Sequence, residues 1–301
     1  MHEELLKGRR KGRGGLVSAN AWRKAIPQRR DRLQSELLTG VVGMLLVAKA
    51  AIEVWQLHGL GAMPEWFWVA CGVSAGFALV VWLLRSATGA AAALGGVICL
   101  NVLLRQGLGV RWQDTAMPGL LALFLLTFTA TRFGRARKEA QGTAEARHGR
   151  KAAQVLANLG VAGLCATGST ALLAACIAAL AEAAADTVSS EMGQALAGSR
   201  WGTALLITTG RPVAAGTDGA VSVAGTTFGV AAAVIVVLVS PFVHADAVVV
   251  AAVFGAACAG LVFDSLLGAT VETRGWLGND LVNFGSTVFA AAAAYATVKL
   301  L

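Results

Sequence analysis

The chain has 301 residues and a mass of 30.8 kDa, with 56% hydrophobic side chains, 14% charged side chains, a mean hydropathy of +0.66 and a formal net charge of +8. Soluble globular domains carry roughly a quarter charged residues, so that class is excluded, together with disordered chains, collagen-like chains and disulfide scaffolds. Several stretches approach or exceed the roughly 20 apolar residues that cross a bilayer, which predicts an all-α, polytopic transmembrane helical bundle of about eight crossings, seven to nine.

Residues 1–36 hold ten of the 25 Lys and Arg (Lys7, Arg9, Arg10, Lys11, Arg13, Arg23, Lys24, Arg29, Arg30 and Arg32) and no apolar h-region. This pattern predicts a basic cytoplasmic arm, not a cleaved signal peptide. Beside a membrane domain its charge is explained by the positive-inside rule and anionic lipid, without nucleic acid as a partner. Residues 37–301 form a single transmembrane domain, and the expected location is the plasma membrane with the N-terminus cytoplasmic.

Apolar segments follow at 37–57, 66–84, 88–104 and 116–131, separated by links carrying Pro64, Arg85, Arg105 and Arg111. Four crossings return the chain to its starting side. The next link, 132–151, carries seven basic residues, Arg132, Arg135, Arg137, Lys138, Arg147, Arg150 and Lys151, so topology and charge agree. Lys49 and Glu53, four apart in the first segment, read as an inward-facing ion pair.

An Ala-rich stretch at 152–185 is too long for one untilted crossing and short for two. Gly168, Ser169 and Thr170 offer a break into a helical hairpin. If it breaks, the following polar segments lie on the side of the basic loop; if it crosses once, they lie opposite. Then come a mixed segment at 186–222, apolar helices at 223–243 and 247–267 joined tightly through Pro241, His244 and Asp246, a polar link at 268–280 and a last helix. The tight joint puts 186–222 and 268–280 on one membrane face.

The five cysteines, Cys71, Cys99, Cys165, Cys176 and Cys258, sit in apolar runs and read as small buried hydrophobes. The four histidines, His2, His58, His148 and His244, have no metal-binding spacing, and no GxxxxGK[ST] loop is present. The chemistry therefore falls to acids, amides, hydroxyls and glycines. An ionisable group in hydrocarbon costs about 2.5 to 3.5 kcal/mol on insertion scales, so acids within or beside apolar helices are candidates for function.

Four clusters qualify, at 186–226 and 263–286. In ADTVSSEMG (185–193), Asp186, Ser189, Ser190 and Gly193 share a helix face, while Glu191 lies about 140° from Asp186. Either the helix ends there or only one acid is a ligand; a solvated helix end capped by Asp186 is the plain alternative. In GTDGAVSVAGT (216–226), Gly216, Thr217, Asp218 and Gly219 form a turn entering a helix, with Ser222, Gly225 and Thr226 behind it and Arg211 before it. A glycine-rich turn at a helix N-terminus suits an anion, and it also suits an ordinary turn. Asp264 lies near a helix end between Gly260 and Gly268 and needs a cation, metal or donor. Asn279, Asp280 and Asn283 can face one point at the start of the last helix, or serve only as its cap. Together these residues suit a magnesium-bound phosphate compound.

At these residues the sequence resembles the integral-membrane prenyl-phosphate kinase family that includes plant phytyl-phosphate kinase and, more distantly, the CTP-using dolichol and phytol kinases. The strings are TRFGRARK (131–138), GRKAAQVLANLG (149–160), ADTVSSEMG, GTDGAVSVAGT, FDSLLGA (263–269) and GWLGNDLVNFGS (275–286). The chain departs from the family pattern at Val188 and Ser189, and at Asp218 and Ala220 of the turn.

The resemblance implies transfer of a γ-phosphoryl group from CTP or another nucleoside triphosphate to a membrane prenyl monophosphate. It implies Mg2+ on Asp186, Glu191 and Asp264, with Asp280 also catalytic. The 216–226 turn, Arg211, Asn279 and Asn283 would bind the nucleotide, and Arg147, Arg150, Lys151 and Asn158 the acceptor phosphate. The competing readings are a prenol kinase, an ion-coupled secondary transporter, which intramembrane acids also suit, and a non-catalytic lipid-binding protein.

Overall fold

A computed structural model describes residues 26–104, 111–145, 149–244 and 246–301. Expectations resting on residues 1–25, Arg105, Arg147 and His148 lie outside the described residues. The helices are α1 (Gln28–Gly59), α2 (Glu65–Leu83), α3 (Gly89–Leu104), α4 (Met117–Arg132), α5 (Arg135–Gln141), α6 (Ala152–Cys165), α7 (Thr170–Ala195), α8 (Val223–Leu238), α9 (Ala247–Leu267) and α10 (Asn279–Leu300). Strands β1 (Leu205–Leu206) and β2 (Ala220–Val221) form a short antiparallel ribbon in the expected mixed segment.

The molecule is a polytopic helical membrane protein. Among the described residues α1, α2, α7, α9 with its π-helical extension Gly268–Glu272, and α10 are long and apolar enough to cross a bilayer. The pair α4 and α5, bent by 63°, makes a sixth candidate, and α3, α6 and α8 are shorter apolar helices.

The hydropathy pattern places these helices well, with two differences. Residues 28–36, expected in the arm, form the first turns of α1 and dock on the polar link before α10. Arg30 Nη1 donates to Gly275 O (3.2 Å), Gln34 Nε2 to Trp276 O (3.0 Å), and Gly278 N to Gln34 Oε1 (2.8 Å). Helix α7 does not end at Asp186 but continues through the whole ADTVSSEMG string to Ala195.

The Ala-rich stretch breaks at Ala166–Ser169, so α6 and α7 form a hairpin. That break brings the 196–222 and 268–278 segments to the end of the bundle that holds the 133–151 loop. This end carries Arg85, Arg132, Arg135, Arg137, Lys138, Arg150, Lys151, Arg200, Arg211 and Arg274, against Arg111 and Lys299 at the other among the described residues.

Helix α7 is the hub: α4, α6, α8, α9 and α10 all pack on it. Its run of alanines, among them Ala174, Ala178, Ala181 and Ala185 at 0% exposure, lets five neighbours approach closely. On α8, Gly225 and Gly229 complete the fit, since a Cβ at either would stand 2.7 Å from a backbone oxygen of α7. By contrast α1 and α2 expose Leu37, Met44, Trp55, Trp68 and Trp82 outward, the face that lipid covers.

Candidate active site

The C-terminal half of α7 supplies the floor of a polar chamber. Because α7 is unbroken, Asp186, Ser189, Ser190 and Gly193 lie on one face, as their spacing requires. They line a cavity of about 190 Å³ with the 216–222 turn, Asp264 and Ser265 of α9, and Asn279 and Asn283 of α10. The distant clusters of the sequence therefore meet in one place.

The Asp186 and Asp264 carboxyl groups face each other within hydrogen-bonding reach. Ser286 Oγ, on α10, donates to Asp264 Oδ2 (3.1 Å). One turn below Asp186 on the same helix lies Glu182, 1% exposed and close to both aspartates. Neither Glu182 oxygen has a hydrogen-bond partner among the described residues, Ser286 having turned to Asp264. Gly260 makes room for it: a Cβ there would stand 2.6 Å from Glu182 Cγ and 2.9 Å from Ala290 Cβ. Three acids in a low-dielectric interior repel one another unless a cation or shared proton lies among them.

The roof is the glycine-rich turn. Gly219 has φ +71° and Gly216 φ +81°, backbone conformations costly for a side chain. A Cβ on Gly219 would also strike the backbone of Ala269, and one on Gly268 would stand 2.7 Å from Gly219 N. Two glycines thus let the turn lie directly on the end of α9, which carries Asp264.

A second polar cavity, about 210 Å³, adjoins the first and shares Asp186, Ser190, Gln194, Asn279 and Asn283 with it. Its other walls include Arg150, Asn158, Thr187 and Glu191. Arg150 acts electrostatically on Asp186, and its Nη2 lies 3.4 Å from Thr187 Oγ1. Asn158 is buried, with Nδ2 donating to Gln154 O (2.8 Å).

Residues 72–291 match the family described as "Integral membrane protein DUF92", a span that holds both cavities. The chain belongs to the integral membrane protein DUF92 family. It is 31% identical over 208 residues to an uncharacterized membrane protein of Synechocystis sp., covering 65% of this chain and 77% of that one. It is 35% identical over 173 residues to an uncharacterized membrane protein of Methanocaldococcus jannaschii, 56% of this chain and 70% of that one. It is also 31% identical over 191 residues to Protein VTE6, chloroplastic, of Arabidopsis thaliana, 57% of this chain and 56% of the plant protein. No solved structure matches the chain.

In this DUF92 protein several residues expected at the site are engaged elsewhere. Glu191 does not join the facing aspartates, because five residues along an unbroken helix turn it away from Asp186. Its Oε2 is 2.5 Å from Nζ of Lys138, a side chain with no exposure. Lys138 also donates to Ala130 O (3.0 Å) and Thr131 O (2.8 Å), the open carbonyls at the end of α4. Among the described residues no three His, Cys, Asp or Glu side chains are grouped to hold a metal, so the triad Asp186, Glu191 and Asp264 does not form.

Asp280 sits about 100° around α10 from Asn279 and faces α1, accepting from Ser35 Oγ (2.6 Å). It does not line the chamber but a groove with Ser35 and Lys151 that borders the chamber through Asn279. Arg211 is exposed at the tip of the ribbon, its carbonyl taken by Leu206 N (2.9 Å). Thr226 is exposed, and Gly225 serves the close approach of α8 to α7.

The start of α8 is also less open to an anion than a free helix end. Ala224 N donates to Trp201 O, Gly225 N to Ser222 Oγ and Thr226 N to Ser222 O. Ser222 is the N-cap, and its oxygen is spent on the helix itself. Two participants escaped the sequence reading. Glu182 had a signal, its i,i+4 spacing from Asp186, while the pairing of Lys138 with Glu191 spans 53 residues and had none.

Proposed function

We propose that this protein is a membrane phosphotransferase that moves the γ-phosphoryl group of a nucleoside triphosphate, CTP by resemblance, to a membrane-embedded prenyl monophosphate. The single observation carrying the reading is the facing pair Asp186 and Asp264 in a chamber whose other walls are a glycine-rich turn with Asp218, hydroxyls, amides and Glu272. Apolar substrates do not call for such a lining; anions bridged by a cation do.

The residues fit a divalent cation. Magnesium is held in such sites by one or two carboxylates plus substrate phosphates and water, so a facing pair is a sufficient donor set and a third acid is not required. Asp186 and Asp264 would hold it, with the buried Glu182 adding negative charge behind them. When bound, it supplies charge neutralisation between the two phosphorylated substrates.

The rest is positioning. A phosphate monoester has a second pKa of about 6, so the acceptor is mostly dianionic near neutral pH and needs no strong general base. The chain's task is to align two anions and screen their repulsion. Asn279 and Asn283 reach both cavities and are placed to orient groups on either side. Thr217, Asp218 and Gly219 close the chamber over the nucleotide phosphates, and Arg150 and Asn158 face the acceptor side. The charge asymmetry of the bundle supports a cytoplasmic position for this end, where nucleotide is available.

The test is diphosphate formation by purified protein in lipid, with prenols, prenyl phosphates and several nucleoside triphosphates offered. The reading expects diphosphate from a prenyl monophosphate in the presence of Mg2+ and its loss in Asp264→Asn. Absence of transfer with every acceptor and nucleotide refutes it.

A further inference from the structure

Between α2, α3, α4 and α6 runs an apolar groove of about 560 Å³ that none of the described residues fills. Phe77, Gly95, Leu120, Leu123, Phe124 and Leu159 line its depth. Its polar end is different: Arg85, Arg132, Arg135 and Arg150 stand around the mouth, outnumbering the two acids there, Glu139 and Glu145. Arg150 is also a wall of the second polar cavity, which has Asp186 on another wall, so the groove mouth meets that cavity at the Arg150 side chain.

Local structure shows how the mouth is built. Helix α2 ends with Arg85 at φ +53°, the one described non-glycine residue in the left-handed region. Ser86 N closes back on Val81 O (3.0 Å), the hydrogen bond of a helix-ending turn whose left-handed position normally holds glycine. A strained residue kept where glycine is easier points from an outlier to a role for its side chain. Gly149, φ +82°, lets the next segment press on Arg85–Ala87, where a Cβ would stand 2.5 Å from backbone. Thr88 N then donates to Arg150 O and Arg150 N to Ser86 O, both 3.0 Å, which fixes the two arginines on one rim. Arg132 completes the rim, stacked 3.5 Å over the Phe128 ring with Nη2 on Leu84 O (2.8 Å). Arg135 is held to Glu139 (3.0 Å) and screens the outer edge.

We infer that this groove holds the acceptor as a single-chain isoprenoid or alkyl monophosphate, its tail between α2, α3, α4 and α6 and its phosphate under Arg85 and Arg150. The cationic collar selects a dianionic headgroup, since charge-assisted contacts from guanidinium are the stronger class. From Thr131 down to Leu120 the wall of α4 runs about 16 Å at 1.5 Å per residue, room for one extended chain lying along the helices. The inference rests on the kinase reading for the fate of the ligand, and not for its binding.

The test is equilibrium binding to purified protein in detergent, without nucleotide or metal. Probes are geranylgeranyl monophosphate, farnesyl monophosphate and farnesol, with two-chain phosphatidic acid and inorganic phosphate as competitors. Wild type should bind the longer monophosphate more tightly than the shorter, and farnesyl monophosphate more tightly than farnesol. Gly95→Leu should weaken geranylgeranyl monophosphate about tenfold and flatten the length dependence, and Arg150→Gln should weaken the preference for phosphate over alcohol about tenfold. Gly95→Ala is the folding control, because a Cβ there meets only Phe77 at an ordinary 3.8 Å. Competition by phosphatidic acid or inorganic phosphate as strong as by the probes, or unchanged length dependence in Gly95→Leu, overturns the assignment. Length-dependent binding with no diphosphate from any nucleotide leaves the groove standing and removes the kinase reading. Diphosphate formation indifferent to both variants does the reverse.

Discussion

Helix α7 carries two buried charge clusters, and they differ in whether the protein itself completes them. At Glu191 a fully buried lysine arrives from α5, donates to the acid and to two helix-end carbonyls, and leaves no donor of its own unused. At Asp186 two acids, Asp264 and Glu182, stand beside the group, Arg150 acts on it electrostatically from the second cavity, and the hydroxyl of Ser286 is the one donor given to the group by α10. The first cluster is structure: it clamps the α4–α5 bend onto the end of α7, with Gly134 against Ala195 and Arg137 Nη1 on Ala195 O (2.9 Å). The second sets three acids against one arginine, an excess of negative charge that a further cation would balance. One helix thus carries a buried charge that the protein balances itself and a group of acids that it does not, and the proposed site rests on that contrast.

The comparison can be broken first at the structural cluster. Lys138→Met leaves Glu191 buried and uncompensated, and should cost about 3–5 kcal/mol, read as a fall in thermal or denaturant stability in detergent. Adding Glu191→Leu should recover most of that loss, since the pair removed together leaves no orphan charge.

Asp264→Asn should act in the opposite way. It relieves repulsion among three acids, so stability should hold or rise while phosphoryl transfer falls about a hundredfold or more. A melting curve and a turnover assay on one preparation separate the two outcomes.

Gly260→Ala forces a Cβ against Glu182 and Ala290 and should cost about 1–3 kcal/mol, because α9, α7 and α10 must part to accept it. The smallest effect belongs to Asp280→Asn. It weakens one hydrogen bond to Ser35, worth about 1 kcal/mol, and should leave transfer near wild type, as befits a residue that anchors α1.

Hydropathy made the helices legible, since a bilayer imposes length and apolar content on any crossing. The break before α7 was marked by Gly168 and Ser169, and Asn279 and Asn283 were readable as one face of α10 by their four-residue spacing. Spacing along a helix gives angles but not partners. Asp280 shared the cluster and still turned to Ser35, 245 residues away, because α1 docks there. Glu191 stood in the same string as Asp186, but 100° per residue turned it toward Lys138. The glycines of the 216–226 segment looked alike, yet Gly219 seats a turn on α9 while Gly225 seats a helix on α7. The apolar groove was invisible for the same reason, being made by four helices none of which shows it alone.

Manganese, followed by electron paramagnetic resonance in purified protein with nucleotide present, tests the central claim most directly. Wild type and Asp280→Asn should each hold one tightly bound ion per chain, and Asp264→Asn should lose it. An absence of bound ion in wild type, or an ion that Asp264→Asn retains, would show that the facing aspartates are completed by something other than a divalent cation.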